Sequence, residues 1–262
     1  MAIFPGSAIP SAAEDYTIDN SLRFEDSDNA YLARTPSSGG NLRTWTWSGW
    51  VKRGNITAWH VPFSAGRSSP EDRTEISFES ADNIRIFQKD SGSTAMSLVT
   101  TQVFRDPSAW YHIVLAMDTT QAVDTNRVKL YVNGSQVTSF STTTYPTQNL
   151  DTWVNSTAVP TTIGTDSRLY SADFDGYLAE VYLIDGTQYA ASDFGELSST
   201  TNQWKPKDAS GLTFGTNGFY QKYNSTELAT SFTDSSDPTT WTAPAGITSV
   251  DYLVVGGGGG GG

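Results

Sequence analysis

The sequence predicts an all-β fold, either a sandwich or a barrel, and three observations lead to this prediction. Short runs that alternate between polar and apolar residues are separated by turn-forming clusters. Residues 110–137 read as a β-hairpin, and the Asn133-Gly134 pair in this stretch is a strong hairpin signal because both residues tolerate positive φ. No convincing segment with the helical period of 3.6 residues precedes residue 185. Many strands joined by short, turn-rich links are typical of sandwiches and barrels.

The predicted strands can be followed along the chain. The first covers residues 22–24. The second covers residues 45–51, where alternation places Trp45 and Trp47 on one face and Trp50 on the other. The next predicted strands are 75–78, 84–87, 110–117, 128–132 and 161–164. All of these runs are short, as expected for an antiparallel sheet protein.

The last predicted strand of the sandwich is 177–184. Its alternation places four side chains on one face: Tyr177, Ala179, Val181 and Leu183. Residues 189–197 form the one predicted short helix.

The two ends of the chain differ from this pattern. Residues 1–20 contain two prolines and carry no Lys or Arg, which favours an extended N-terminal arm or a disordered terminus over a helix. Residues 196–262 are predicted to form a linker and a Gly-rich C-terminal segment that runs into seven consecutive glycines at 256–262. Three parts are therefore expected: the arm 1–20, a sandwich 21–195 and the segment 196–262.

Composition and charge exclude several classes of partner. The formal net charge is −12, so the surface repels nucleic acid phosphates, and we expect no nucleic acid partner. No apolar run approaches the thickness of a bilayer, so we expect no membrane insertion. The chain has no cysteine, which excludes disulfides and thiolate metal sites.

Four motifs, in the right order, resemble laminin-G-like (LamG) domains of the concanavalin A-like type. They are residues 47–52 (WSGWVK), 110–114 (WYHIV), 128–134 (VKLYVNG), and 163–164 with 174–181 (IG, FDGYLAEV). The resemblance implies an all-β, antiparallel jelly-roll β-sandwich with an extended N-terminal arm and a Gly-rich C-terminal extension. The family is functionally diverse, so the resemblance by itself implies no single activity.

A second resemblance concerns the C-terminal part. Residues 241–262 are similar to the Gly-rich segments of bacteriophage tail-fibre and adhesin proteins, and residues 214–220 are similar to segments that follow LamG domains in phage proteins. This implies a virion structural protein, a tail fibre or a related surface appendage, that is assembled in the host cytoplasm. The arm would contact other virion proteins. The glycine tract would pack against copies of itself in a homo-oligomer, with a trimer as the first expectation, and the sandwich would recognise a host-surface glycan or act as a spacer.

Calcium is the cofactor that the resemblance suggests, because some LamG and pentraxin-like domains bind Ca²⁺ at a sandwich rim. Carboxylates in turns are suitable ligands, and Asp166, Asp173 and Asp175 lie around the entry to the closing strand. Asp26 and Asp28 form a second acidic turn. The alternative is that these aspartates serve only turns and caps.

Aromatic side chains in loops are candidates for stacking on sugar rings. Four lie in predicted loops: Trp59, Tyr145, Trp153 and Tyr170. Small cores under the loops are the alternative role for each of them.

Three functions remain open: the virion component, a stand-alone carbohydrate-binding lectin that does or does not need calcium, and a glycoside hydrolase. Laminarinase-type hydrolases of the same fold carry a Glu-x-Asp-x-x-Glu cluster. The nearest approximation here includes Glu75 and Glu79, which a solvated strand face explains better. We therefore expect a non-enzyme. His112 is expected to be structural, and no partner is evident for His60.

Overall fold

A computed structural model describes residues 16–68, 71–167 and 172–224. Within these ranges it contains sixteen strands, one short helix α1 (Asp124–Arg127) and two 3₁₀ turns (Asp26–Asp28 and Ala191–Asp193). The strands are β1 (Leu22–Phe24), β2 (Leu32–Arg34), β3 (Thr44–Arg53), β4 (His60–Arg67), β5 (Asp72–Phe78), β6 (Asn83–Asp90), β7 (Ser93–Val103), β8 (Tyr111–Asp118), β9 (Val128–Val132), β10 (Ser135–Gln136), β11 (Phe140–Thr144), β12 (Thr161–Ile163), β13 (Gly176–Asp185), β14 (Gly195–Leu197), β15 (Trp204–Pro206) and β16 (Phe219–Gln221). No helix of the described residues is long and apolar enough to cross a membrane.

Two seven-stranded antiparallel sheets form a jelly-roll sandwich, which confirms the predicted fold class. Sheet A has the order β1-β13-β3-β8-β9-β10, with β16 also paired to β13. Sheet B has the order β11-β7-β6-β5-β4-β12-β2. Strands β14 and β15 form a separate two-stranded ribbon.

The predicted hairpin lies in sheet A and is confirmed. Strand β8 pairs with β9, with Leu115 opposite Leu130, and both side chains are buried in the core. Asn133 and Gly134 form the turn from β9 to β10 with φ of 47° and 80°. The positive φ values are those of the Asn-Gly turn that the sequence predicts.

The main core fills the space between the sheets. Trp45 and Trp47 of β3 are fully buried, and both pack against Phe63 of β4 in the opposite sheet, with ring centroids 6.5 and 5.7 Å apart. Trp50 points to the other side of sheet A, where its ring lies 4.9 Å from that of His112. The predicted alternation of these three tryptophans is therefore confirmed.

A second layer covers the outer face of sheet A. Tyr182 and Ile184 of β13 are buried there against residues that follow the sandwich, including Phe194 and Ala209. Residues 196–224, which the sequence assigns to a linker, carry β15 and β16. Trp204 and Ala209 belong to this layer, whereas Phe219 and Tyr223 are buried in the main core. Aromatic stacking contributes to the contact, because the Tyr182 and Tyr220 rings lie 4.1 Å apart and nearly parallel.

The predicted face of strand β13 is wrong beyond Ala179. The ladder with β3 pairs Ala179 with Trp50 and Tyr182 with Ser48, so Glu180 and Val181 both lie opposite one residue. Glu180 has a φ of 50° and forms a β-bulge. The extra residue reverses the alternation, so that Val181 and Leu183 enter the core while Ala179 faces outward.

The predicted helix at 189–197 is also wrong. This stretch forms the 3₁₀ turn Ala191–Asp193 followed at once by β14, which pairs with β15. Burial of Ala191 and Phe194 against sheet A decides the conformation, since tertiary contacts override a weak local preference. Residues 1–15 of the predicted arm, Tyr170 and the glycine tract lie outside the described residues.

Candidate functional site

The loops at one end of the sandwich form an open pocket of about 310 Å³, which we call the rim pocket. It is lined by Asp26, Asn29, Ala58, Trp59, His60 and Asp173. These residues come from three loops or strand ends: the link from β1 to β2, the start of β4 and the approach to β13. The pocket therefore exists only once β1 has paired with β13 in sheet A and β4 of sheet B has packed against them.

Trp59 is the exposed aromatic side chain of this pocket. It is 37% exposed and stands directly before β4. The guanidinium of Arg85 lies 5.3 Å from the centroid of its ring and 3.6 Å from that of Phe87. This cation–π contact with Arg85 restrains the orientation of the Trp59 ring.

Arg85 has unused hydrogen-bonding capacity. Its nearest carboxylate oxygens are those of Glu79 and Glu75 at 3.7 and 3.9 Å, too long for hydrogen bonds. Among the described residues it donates no hydrogen bond. Burial lowers its pKa, yet an arginine remains charged in proteins. The side chain can therefore donate to an acceptor that reaches it beside Trp59.

His60 is a second group with unused polar atoms. It is 1% exposed, and neither ring nitrogen has a hydrogen-bond partner in the described part of the chain. Its Nε2 lies 3.9 Å from Oδ2 of Asp26. Burial, followed by the charge of Arg53, lowers its pKa, so the ring is neutral at pH 7 and offers one donor and one acceptor. A buried polar group without a partner costs stability unless a ligand or water satisfies it.

Next to the pocket lies an acidic group that could hold a cation. Glu25, Asp26 and Asp175 each offer one carboxylate oxygen, and these oxygens lie within 4.8 Å of one another. Strand pairing brings them together, because Phe24 of β1 lies opposite Gly176 of β13. Arg23 already forms ion pairs with Glu25 and, at 3.2 Å, with Asp175. A calcium ion would therefore share these carboxylates with the guanidinium of Arg23.

The three aspartates predicted to bind calcium do not come together as one group in the described structure. Asp175 joins the acidic group. Asp173 lines the rim pocket and accepts a hydrogen bond from the Thr165 hydroxyl, and burial raises its pKa. Asp166 is 1% exposed, and its negative charge contributes to the raised pKa of Glu75 in sheet B. The acidic group that the fold assembles contains Asp175 together with Glu25 and Asp26, and not Asp166 or Asp173.

Of the predicted sugar-stacking residues, Trp59 lines the pocket. Tyr145 is partly buried and packs against the main core. Trp153 also packs against the core, and its Nε1 donates a 2.7 Å hydrogen bond to Oδ1 of Asp90. Tyr170 lies outside the described residues. The packing of Tyr145 and Trp153 agrees with the alternative expectation, that loop aromatics form small cores under the loops.

The expectation that Glu75 lies on a solvated strand face is wrong. The side chain is 1% exposed, and its Oε2 accepts a 2.7 Å hydrogen bond from Nε of Arg73. Burial raises its pKa, against the charge of Arg73. Glu79 keeps partial exposure, with 23% of its side chain accessible. The alternation of the strand is as predicted, but the outer face of sheet B is covered at this position.

Sequence reasoning missed His60, Arg85 and Glu25 as members of the site. Nothing in the local pattern distinguishes them, because each becomes part of the site through contacts with distant residues. Asp26 carried a signal as part of an acidic turn. The register of β1 against β13 was needed to connect that turn with Asp175.

Comparison with known proteins places the chain in a family. The family model Laminin_G_3, described as the Concanavalin A-like lectin/glucanases superfamily, matches residues 25–192. A search of curated proteins found no significant match.

Solved structures with a similar fold share little sequence with the chain. A heptameric SAP-like pentraxin from Limulus polyphemus is 14% identical, with a TM-score of 0.44 over 68% of this chain and 85% of the pentraxin. Domains LG4-5 of the mouse laminin alpha1 chain are 10% identical, with a TM-score of 0.47 over 72% of this chain and 48% of that one.

Tailspike protein 2 of the Escherichia coli O157:H7 bacteriophage CAB120 is 13% identical, with a TM-score of 0.46 over 66% of this chain and 23% of the tailspike. The family match covers more than half of the chain, so the protein belongs to the Laminin_G_3 family of the concanavalin A-like lectin/glucanase superfamily.

Proposed function

We propose that this protein is a bacteriophage virion component, a tail fibre or related surface appendage, whose sandwich binds a host-surface glycan in the rim pocket. The observation that carries the glycan assignment is the exposed ring of Trp59 beside polar groups that have no partner of their own. Apolar rings and a few convergent polar groups are what a ligand pocket requires. The ring stacks on the apolar face of a sugar, while the partly exposed carboxylate of Asp26 meets its hydroxyl groups.

The virion assignment is supported by the sequence at the C-terminus and by the way the two ends of the domain meet. The hydroxyl of Tyr16 lies 3.0 Å from that of Tyr220, and both contact Glu180 on sheet A. The first described residue therefore lies beside β16, the last strand of the described part of the chain. This arrangement suits a protein held through both ends, with other virion proteins and copies of itself as partners, while its loops meet the host.

We further propose that the protein is not an enzyme. Glycoside hydrolysis needs two carboxyl groups free to act as acid and nucleophile or base. Here the carboxylates of Glu25 and Asp175 are paired with Arg23, and that of Glu75 is paired with Arg73. Each of these carboxylates is already held in an ion pair, so none of them stands free to act as acid, base or nucleophile.

A calcium-dependent lectin is the second candidate function, and the acidic group beside the rim pocket favours it. A cation bound by Glu25, Asp26 and Asp175 would order the loop that carries Asn29. Under this alternative, glycan binding depends on calcium, whereas the leading proposal does not require it.

A glycan array tests both candidates with the full chain. We expect specific binding to one class of bacterial surface glycan, with a loss of about tenfold or more in Trp59→Ala. Trp153→Phe is the matched control, since Trp153 packs on the core and should leave binding unchanged. Binding that EDTA abolishes would favour the calcium-dependent lectin.

Binding that Trp59→Ala leaves intact would refute the rim pocket as the glycan site. The virion assignment has its own test. Cryo-electron microscopy of the intact particle should locate the sandwich on its surface, and light scattering of the full chain should give a trimer. A monomer would contradict the proposed self-association.

A further inference from the structure

The outer face of sheet A holds a second cavity of about 280 Å³, separate from the rim pocket in all of its lining residues. We call it the sheet A pocket. Its floor is formed by Trp50 and Ala179, which are cross-strand neighbours on β3 and β13. Its walls come from Trp110 at the entry to β8, from Pro206 of β15 and from residues 18–21.

The Trp50 ring is fixed before any ligand arrives. It lies 4.9 Å from the ring of His112, which is itself held by Ser48 and Trp204 at 3.0 Å each. The Nε1–H of Trp204 donates to Nδ1 of His112, so Nε2 carries the proton and donates to Ser48. Burial lowers the pKa of His112 to about 3, so the ring is neutral and this arrangement holds at physiological pH. Because the side chain is already ordered, binding a ligand costs little of its conformational entropy.

The opposite wall is polar and has unused hydrogen-bonding groups. Asp19, Asn20 and Ser21 are all exposed. The side chains of Asn20 and Ser21 make no hydrogen bond in the described structure, and Asp19 accepts one long bond of 3.4 Å from Thr17. Three residues with polar side chains thus line the cavity opposite its floor, together with the half-buried Trp110.

We propose that the sheet A pocket binds a neutral sugar ring. The half-buried Trp110 would stack on its apolar face next to the small part of Trp50 that stays exposed, and the side chains of residues 19–21 would bind its hydroxyl groups. The cavity is near the small end of the usual range of roughly 300–1,000 Å³ for ligand pockets, so it suits one hexopyranose. Asp19 and the net charge of −12 disfavour an anionic sugar. This site does not depend on the function proposed for the rim pocket.

Nuclear magnetic resonance of the indole N–H groups tests the proposal. The full chain, labelled with ¹⁵N, would be titrated at millimolar concentration with methyl glucoside, methyl galactoside, methyl mannoside and N-acetylglucosamine. At least one of these probes should shift the Trp50 and Trp110 signals, each assigned by substitution. Affinity should fall about tenfold or more in Asp19→Ala and in Trp110→Ala. Asp19 is exposed, so its substitution should leave folding unchanged even where the Trp110 variant is destabilised.

Trp59→Ala is the matched control, because Trp59 lines the rim pocket and not this one. Shifts that persist in Trp59→Ala and weaken in Asp19→Ala support the proposal. It is overturned if none of the four probes shifts Trp50 and Trp110, or if Asp19→Ala binds as well as the original chain, or if binding is lost only in Trp59→Ala. The last result would leave the rim pocket as a glycan site, so the two proposals fail separately.

Discussion

The indole Nε1 of Trp204 donates a 3.0 Å hydrogen bond to Nδ1 of His112, although the two residues are 92 positions apart. The bond ties the ribbon of β14 and β15 to sheet A. It also fixes the tautomer of the histidine, whose Nε2 then donates to Oγ of Ser48. The resemblance to LamG domains suggested a structural role for His112, and this contact explains how the role is performed.

Removing the donor should destabilise the protein. In Trp204→Phe the buried Nδ1 of His112 loses its partner, and we expect the free energy of unfolding to fall by about 1–2 kcal/mol. Urea denaturation measures this change. Trp59→Phe is the control, because Trp59 is exposed and makes no hydrogen bond in the described structure, so its effect should stay within about 0.5 kcal/mol. Equal effects of the two substitutions would contradict the assigned hydrogen bond.

The same histidine predicts a loss of stability in acid. Burial lowers the pKa of folded His112 to about 3, while the unfolded chain has the ordinary value of about 6.5. Above pH 6.5 both states are neutral. As the pH falls from 6.5 toward 3, His112 is protonated in the unfolded state but not in the folded state. The free energy of unfolding therefore falls by up to about 1.4 kcal/mol per pH unit.

This prediction can be checked at the residue itself. The ring signals of His112 should show no titration between about pH 8 and pH 4.5 in the folded protein. His60 should behave in the same direction, since burial and the charge of Arg53 lower its pKa as well. A titration midpoint near 6.5 for His112 would refute the buried, neutral assignment.

The Asn-Gly turn allows backbone strain to be separated from steric overlap. Gly134 and Gly92 have nearly equal positive φ values of 80° and 84°. A Cβ on Gly134 would lie 2.3 Å from the ring of Trp204, whereas a Cβ on Gly92 would have no atom within 4 Å. Gly92→Ala should therefore cost only the strain of about 1–2 kcal/mol.

Gly134→Ala should cost about 1–3 kcal/mol more, because Trp204 must move. Thermal unfolding of the two variants side by side gives the difference. If the two glycines prove equally tolerant, the contact between the turn and Trp204 is wrong.

The bulge at Glu180 is stabilised by side-chain hydrogen bonds. Its Oε2 accepts bonds from the hydroxyls of Tyr16, Tyr182 and Tyr220, the first two at 2.9 and 2.8 Å. Glu180→Gln keeps the shape but replaces a charged acceptor with an amide, and we expect a loss of about 1–3 kcal/mol of stability. Tyr16→Phe removes one bond of the three and should cost less, as chemical denaturation would measure. The opposite order would mean that the carboxylate does not organise this cluster.

Local signals predicted β3 and the strands of the Asn-Gly hairpin well, but they missed others, including β4 and β7 in the interior of sheet B. Residues 45–51 and 110–132 were identified because their alternation and the Asn-Gly turn are properties of neighbouring residues. Strand β4 was missed because Pro62 lies in it, and proline argues against a central strand. In the structure Pro62 lies where the register between β4 and β5 shifts, between His60 and Phe63. Strand β11 was missed because it is a polar edge strand, with four of its five residues exposed.

The sequence by itself determined an all-β fold, the hairpin with its Asn-Gly turn, and which side of β3 its tryptophans face. These properties follow from alternation and turn chemistry, which act over a few residues, while the LamG type rested on the resemblance of four motifs. Only the tertiary structure decided where a ligand could bind, because Asp26, His60 and Asp173 meet where strand ends of the two packed sheets come together. It also decided the face of β13, since one extra residue at Glu180 reverses a pattern whose period is two.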